Sequence, residues 1–296
     1  LPDASIPEPL DKLWRDVHIA LEDACIQFGS AEEISERIAY LRRSYRMERL
    51  EGPPRFDDEA TRLAYAVAYH PGHAFAYLHL LLQKTLGTSA FGGIHSSPRI
   101  MVLGAGPGAE TLAILRWMEA VRPELLDGAQ FVMVDRAEWQ STRRSVLAPT
   151  VTRSWKDHGI RFHQETTDLT CETGLHYLAT EAPQADVIFC PSVFSELIAD
   201  GREGPVFESL LDHMSADTRL VLIDHKDVEF DHVSRQWSQQ FRVIDEGVTL
   251  GAILPLPTMW ITTKLLDGNG DRIPTRKYPL LWSVLAPKEG AGQNRG

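Results

Sequence analysis

Three glycines and two acids in this chain have the types and spacing to hold a nucleoside. Gly104, Gly106 and Gly108 follow the apolar residues Ile100, Met101, Val102 and Leu103, and Ala109, Leu112, Ala113 and Leu115 come next at helical spacing. A strand that turns through glycine into a helix presents bare backbone to a ligand, and the unsatisfied N–H groups of the first helical turn point at an anionic or polar group. Pro107 has the fixed φ and missing N–H that suit such a turn. With Ala109 the spacing also fits the dinucleotide pattern G-x-G-x-x-G/A, and a tight turn that holds no ligand fits as well. Asp135 ends a second apolar run, 130–135. At the carboxyl end of a parallel strand an acid can accept two hydrogen bonds from a ribose diol; it also suits a helix N-cap. Asp168 follows a third run and suits either the exocyclic amine of an adenine or a surface turn.

Proton transfer has four candidates. Glu196 and His225 follow the fourth and fifth apolar runs, and Tyr69 and His70 join them if a helical cap folds over the crevice. Each has a structural use too: Glu196 begins a helix, His225 fills a turn, and Tyr69 and His70 pack. His70 and His73 share one ligand-like spacing without a third ligand, so no metal is expected.

Elements must hold these residues in place, and bulk properties bound them. The chain has 296 residues, 43% hydrophobic and 24% charged, enough for one large domain or a core domain with an appendage. No run approaches the roughly 18 consecutive apolar residues of a membrane span. The opening residues lack the basic and apolar regions of a secretory signal, so a cytoplasmic protein is expected. Cys25, Cys171 and Cys190 are scattered, match no zinc spacing and suit a reducing compartment. A formal charge of −11, shared between the first 95 residues and the remainder, leans against a long surface tracking nucleic-acid phosphates.

Leu10, Leu13, Trp14, Val17, Leu21, Ala24 and Cys25 recur at three and four, predicting an amphipathic helix. Ser30 with Glu33 forms a capping box for a second helix, whose Arg42, Arg46 and Arg49 read as a solvated face. Asp57 or Asp58 caps a third, which the pair Pro71 and Gly72 is expected to interrupt. A further helix, 74–86, is expected to stop at Gly87, with 88–98 as a linker. From there apolar runs at 100–103, 130–135, 160–164, 185–190 and 218–224 alternate with helical patterns, the signature of a doubly wound parallel sheet. Two last runs, 241–248 and 278–285, lack a helix between them and are expected to form an antiparallel edge. The fold class is therefore α/β: a mostly parallel, Rossmann-like seven-stranded sheet with an antiparallel last strand. An all-helical cap over 1–95 precedes a nucleoside-binding domain over 96–290.

This layout resembles that of class I S-adenosylmethionine-dependent methyltransferases. VLGAGPGAET at 102–111 looks like their first motif, and Asp135, Asp168, Pro191 and Ser192 fall where later motifs fall. The likeness covers about residues 98–286. A narrower similarity adds LAYAVAYHPGHA at 63–74, VDRAEW at 134–139 and SEL at 195–197, and resembles the fungal 25S ribosomal-RNA uridine N3-methyltransferase family. Members of that family tend to show Asn where this chain has Ser195, beside the expected methyl-transfer point. The resemblance implies S-adenosyl-L-methionine as cofactor. Gly104, Gly106 and Gly108 would approach its methionine part, Asp135 its ribose, and Asp168 with the Leu169 backbone its adenine. Ala105, Arg136, Pro191 and Ser192 complete the implied set.

The acceptor divides two ways. The fungal likeness points to an RNA uridine. The acidic charge and the apolar helical cap point to a small molecule enclosed between cap and sheet, which is the favoured expectation. A nicotinamide-dependent oxidoreductase is the competing enzyme class, but it expects its acid about 20 residues after the glycines, nearer than Asp135. A non-catalytic scaffold is the third class, and intact glycines with Asp135 argue against it.

Overall fold

The computed structural model describes residues 7–28, 31–51, 55–83, 85–199, 201–225, 240–249 and 280–288. Four helices lead: α1 (Glu8–Phe28), α2 (Ala31–Glu51), α3 (Glu59–Leu82) and the short α4 (Leu86–Phe91). Then come β1 (Arg99–Leu103), α5 (Ala109–Val121), β2 (Gln130–Asp135), α6 (Gln140–Trp155), β3 (Arg161–Thr166) and α7 (Glu172–Glu181). The chain continues with β4 (Val187–Pro191), α8 (Val193–Ala199), α9 (Glu203–His213), β5 (Arg219–His225), β6 (Phe241–Thr249) and β7 (Leu280–Pro287).

The sheet order is β3-β2-β1-β4-β5-β7-β6. The first five strands pair in parallel, and β7 inserts antiparallel between β5 and β6. This is the seven-stranded, mostly parallel arrangement expected. Ile100, Met101, Val102 and Leu103 are fully buried because β1 lies mid-sheet, covered on both faces. One face carries α5 and α6, with α1 and α3 laid over them in a continuous apolar core; the other carries α7, α8 and α9. Leu13, Leu21, Leu41 and Leu78 are wholly buried there, each stabilising by about 1.5–3 kcal/mol. A polar cluster adds to the seam. Arg116 on α5, 1% exposed, pairs with Asp16 of α1 and with Glu119, its guanidinium 4.5 Å from the Trp155 ring centre.

Three expectations need correction. Pro71 and Gly72 do not break the helix: α3 runs unbroken through them to Leu82. A mid-helix proline costs about 3 kcal/mol, but α3 buries Phe75, Leu78, Leu80 and Leu81 beyond it, and tertiary packing outweighs the local penalty. Gly87 does not end a helix; it lies in α4, against Trp117, where any Cβ would collide with the indole. Its role is close approach. Residues 88–91, expected as linker, are accordingly helical. Asp58 caps α3, its carboxylate accepting from Thr61 N at 2.8 Å. Ser30, the expected capping residue of α2, lies outside the described residues.

Candidate functional site

A cleft opens at the carboxyl ends of β1, β2 and β4, beneath one face of α3, and holds about 1010 Å3 of empty space, its open mouth included. Its floor is the turn between β1 and α5. Gly104, Gly106 and Gly108 have φ of +66°, +43° and +97°, conformations that L side chains rarely adopt. A Cβ on Gly106 would meet no atom within 4 Å, so the space beside it is open; on Gly104 it would strike Val193.

The turn is tied from two sides. Asp135 Oδ2 accepts from Gly106 N at 2.8 Å, and Oδ1 accepts from Ala137 N at 2.9 Å. Arg143, 3% exposed on α6, donates Nε to Gly106 O at 2.8 Å and Nη1 to Gln164 Oε1 at 3.2 Å. Burial pulls its guanidinium down to about 10, while Asp135, Glu110 and Glu138 hold it up. Thus an acid from β2 holds the N–H of Gly106 and a basic residue from α6 holds its C=O, bracing the two successive peptide units of the glycine turn.

One side of the cleft carries Asp168, Leu169 and Thr170 after β3, with Arg202. Asp168 Oδ1 accepts from Thr170 N at 2.9 Å and Thr170 Oγ1 at 2.7 Å. Partial burial pushes the Asp168 carboxyl up, but these bonds and the charges of Arg136 and Arg202 hold it below its ordinary value. Arg136 and Glu196 pair at 3.6 Å, both exposed. Deeper in, Tyr77 sits with its hydroxyl 3.3 Å from Ser192 Oγ. Ser192 itself has φ +54° in the turn after β4, and Asp224 at the end of β5 accepts from Ser195 N at 2.8 Å.

The opposite wall is aromatic. Tyr65, Tyr69, His73 and Tyr77 recur every fourth residue along α3, with ring centres 5.0, 6.2 and 5.9 Å apart. Phe56 and Trp139 extend it, 5.2 Å from each other and 5.2 and 5.5 Å from Tyr65.

Of the residues singled out in the sequence, Gly104, Gly106, Asp135, Arg136, Asp168, Leu169, Pro191, Ser192 and Glu196 line this one cleft. Ala105 and Gly108 shape the turn without lining it. Tyr69 is half-buried within the aromatic ladder and His70 is wholly buried, and neither is among the residues that line the cleft. Burial, with His73 nearby, takes the His70 imidazole down to about 3. His225 ends β5, its backbone paired with Leu280; its side chain lies outside the described residues. Sequence reading gave no site role to Tyr65, Tyr77 and Glu110, and weighed His73 only as a metal ligand. The fourfold spacing on α3 was available as a signal; for Glu110 there was none beyond its place in the glycine run. Among the described residues no group of His, Cys, Asp and Glu could hold a metal, and no helix is long and apolar enough to cross a membrane.

No protein-family model and no curated protein matches the chain. Among solved structures, magnesium protoporphyrin IX methyltransferase from Synechocystis PCC 6803, solved with bound S-adenosylmethionine, is 13% identical, covers 85% of this chain and 97% of its own, and has a TM-score of 0.45. The N-methyltransferase NodS from Bradyrhizobium japonicum is 11% identical over 71% of this chain and 96% of its own, with a TM-score of 0.41. A variant of the 16S ribosomal-RNA adenine N1-methyltransferase from Catenulisporales acidiphilia is 14% identical over 68% and 92%, with a TM-score of 0.40.

Proposed function

We propose that this chain is an S-adenosylmethionine-dependent methyltransferase acting on a small molecule held between α3 and the sheet. One observation carries the reading: bare backbone at Gly104 and Gly106 meets acids from the two neighbouring strand ends, Asp135 and Asp168, in a single cleft. The residues fit the donor. Gly106 leaves open space where a Cβ would stand, and Glu110 presents a buried carboxylate oxygen without a partner among the described residues. In this reading 96–290 supply the donor site and 1–95 the acceptor wall.

When bound, S-adenosylmethionine supplies an electrophilic methyl group on a sulfonium. Asp135 would receive the ribose hydroxyls on the lone pairs that Gly106 and Ala137 leave free, and Asp168 with the Leu169 backbone would receive the adenine. The glycine floor fixes the arm, and the aromatic ladder of α3 holds an acceptor against it. Positioning of this kind supplies most of what an in-line displacement needs. Developing neutrality at sulfur asks for no catalytic acid. Where the acceptor must lose a proton, Glu196, which lines the cleft outside the places given to the donor, would take it.

Calorimetry tests the donor. Saturable one-to-one binding of S-adenosylhomocysteine, with none of NAD, supports the reading; the reverse result replaces it with an oxidoreductase. Filter binding across a salt series tests the acceptor. Salt-dependent retention of RNA would move the acceptor from a small molecule to a ribosomal-RNA uridine, the activity the fungal likeness implies.

A further inference from the structure

The glycine run continues into Glu110, the second residue of α5, whose side chain turns into the cleft. It is 7% exposed, and its Oε2 has no hydrogen-bond partner among the described residues. The residue's own backbone N–H favours the charged carboxyl, but an oxygen that has lost water and gained no donor is costly to bury. Every charged or titratable neighbour it faces fails to supply one. Asp135, from the end of β2, is another anion and pushes the Glu110 carboxyl the same way as burial does. Arg143 of α6 opposes both, but its Nε and Nη1 are committed to Gly106 O and Gln164, and its Nη2, buried without a partner among the described residues, makes no hydrogen bond to Glu110. Tyr77 of α3 senses the Glu110 charge, and its hydroxyl lies against Ser192. Two acids thus face one base, none of whose nitrogens bonds Glu110, at the inner end of the cleft. What is missing there is a cation whose donor reaches the Glu110 oxygen.

Resting on the function proposed above, a nucleoside donor with its base at Asp168 and its ribose at Asp135 extends its arm toward Gly104, Gly106 and Glu110. We infer that Glu110 is the receptor for the ammonium group of the donor's amino-acid arm, and so distinguishes a nucleoside that carries the arm from one that lacks it. The ammonium brings a donor for the unpartnered oxygen and a charge to offset Asp135. A neutral hydroxyl or amide would bring only the first. Burial, with Asp135 beside it, raises the free Glu110 carboxyl to about 8 despite a hydrogen bond from its own backbone N–H and the charge of Arg143. At pH 7 the free protein therefore holds that proton. Binding an ammonium turns the acid into a carboxylate; the proton passes to buffer while the ammonium keeps its own.

The test is calorimetry at pH 7 in buffers of differing ionisation enthalpy, with S-adenosylhomocysteine and 5′-methylthioadenosine as probes. The wild-type chain is expected to release about one proton on binding S-adenosylhomocysteine and none on binding 5′-methylthioadenosine. Glu110→Gln should lower affinity for S-adenosylhomocysteine about 10- to 100-fold, abolish proton release, and leave 5′-methylthioadenosine binding within about twofold. A variant that does not fold leaves the wild-type comparison decisive by itself. Equal proton release with both probes, or equal losses for both in Glu110→Gln, overturns the assignment of Glu110 while the methyltransferase reading stands. Failure of the wild-type chain to bind either nucleoside overturns both.

Discussion

Asp135 Oδ2 accepts a hydrogen bond from Gly106 N at 2.8 Å, across 29 residues of sequence. The acid expected at a ribose is therefore also a brace for the glycine turn, and its second oxygen is engaged by Ala137 N. Asp135→Asn keeps one acceptor and loses the charge. It should weaken S-adenosylhomocysteine binding by about 1.5–3 kcal/mol, the worth of hydrogen bonds to a charged group. Calorimetry reads the affinity and a thermal melt reads the fold; unchanged affinity in a folded variant removes Asp135 from the site.

Gly104 and Gly106 should respond differently to alanine. At Gly106 a methyl group enters open cleft, so Gly106→Ala should fold at a cost of about 1–2 kcal/mol for its left-handed φ yet lose nucleoside binding. At Gly104 the same methyl strikes Val193, and Gly104→Ala should be the less stable of the two. Urea unfolding beside calorimetry separates them. Retained nucleoside binding in Gly106→Ala would place the ligand elsewhere.

Two buried groups give stability opposite slopes with pH. His70 has its imidazole lowered to about 3 by burial, and neither ring nitrogen has a partner among the described residues. The unfolded chain binds the proton first, so its contribution is lost as pH falls from about 6.5 toward 3. Glu110, raised to about 8, binds its proton more tightly when folded, so stability falls as pH rises from about 4.5 toward 8. His70→Leu should flatten the acid limb and Glu110→Gln the alkaline one, each by a few kcal/mol at its extreme. Urea midpoints from pH 4 to 8.5 measure both. Parallel profiles for wild type and either variant would show that the group does not titrate as its burial requires.

Asp16 holds Arg116 from a helix one hundred residues away. Asp16→Ala leaves a nearly buried guanidinium with Glu119 as its remaining acid, and should destabilise by about 1.5–3 kcal/mol. Because the pair lies behind α5, away from the cleft, nucleoside affinity should not change. Denaturant melts with calorimetry check both; lost binding at full stability would link α1 to the site.

Much of the architecture was legible locally. The apolar runs ending in Leu103, Asp135 and Cys190 marked the strands, because a strand covered on both faces must be apolar throughout. Gly104, Gly106 and Asp135 announced the cleft, because a close backbone approach and a strand-end acid need particular residue types at fixed spacing. Other features belong to tertiary structure. Whether α3 survives Pro71 depends on what Phe75 and Leu78 bury against, and Gly87 has its reason in Trp117, thirty residues on. Tyr77 meets Ser192 from 115 residues away. The isolation of Glu110 is likewise a property of surroundings that local pattern does not carry: burial and the absence of a partner arise only when distant segments close around a side chain.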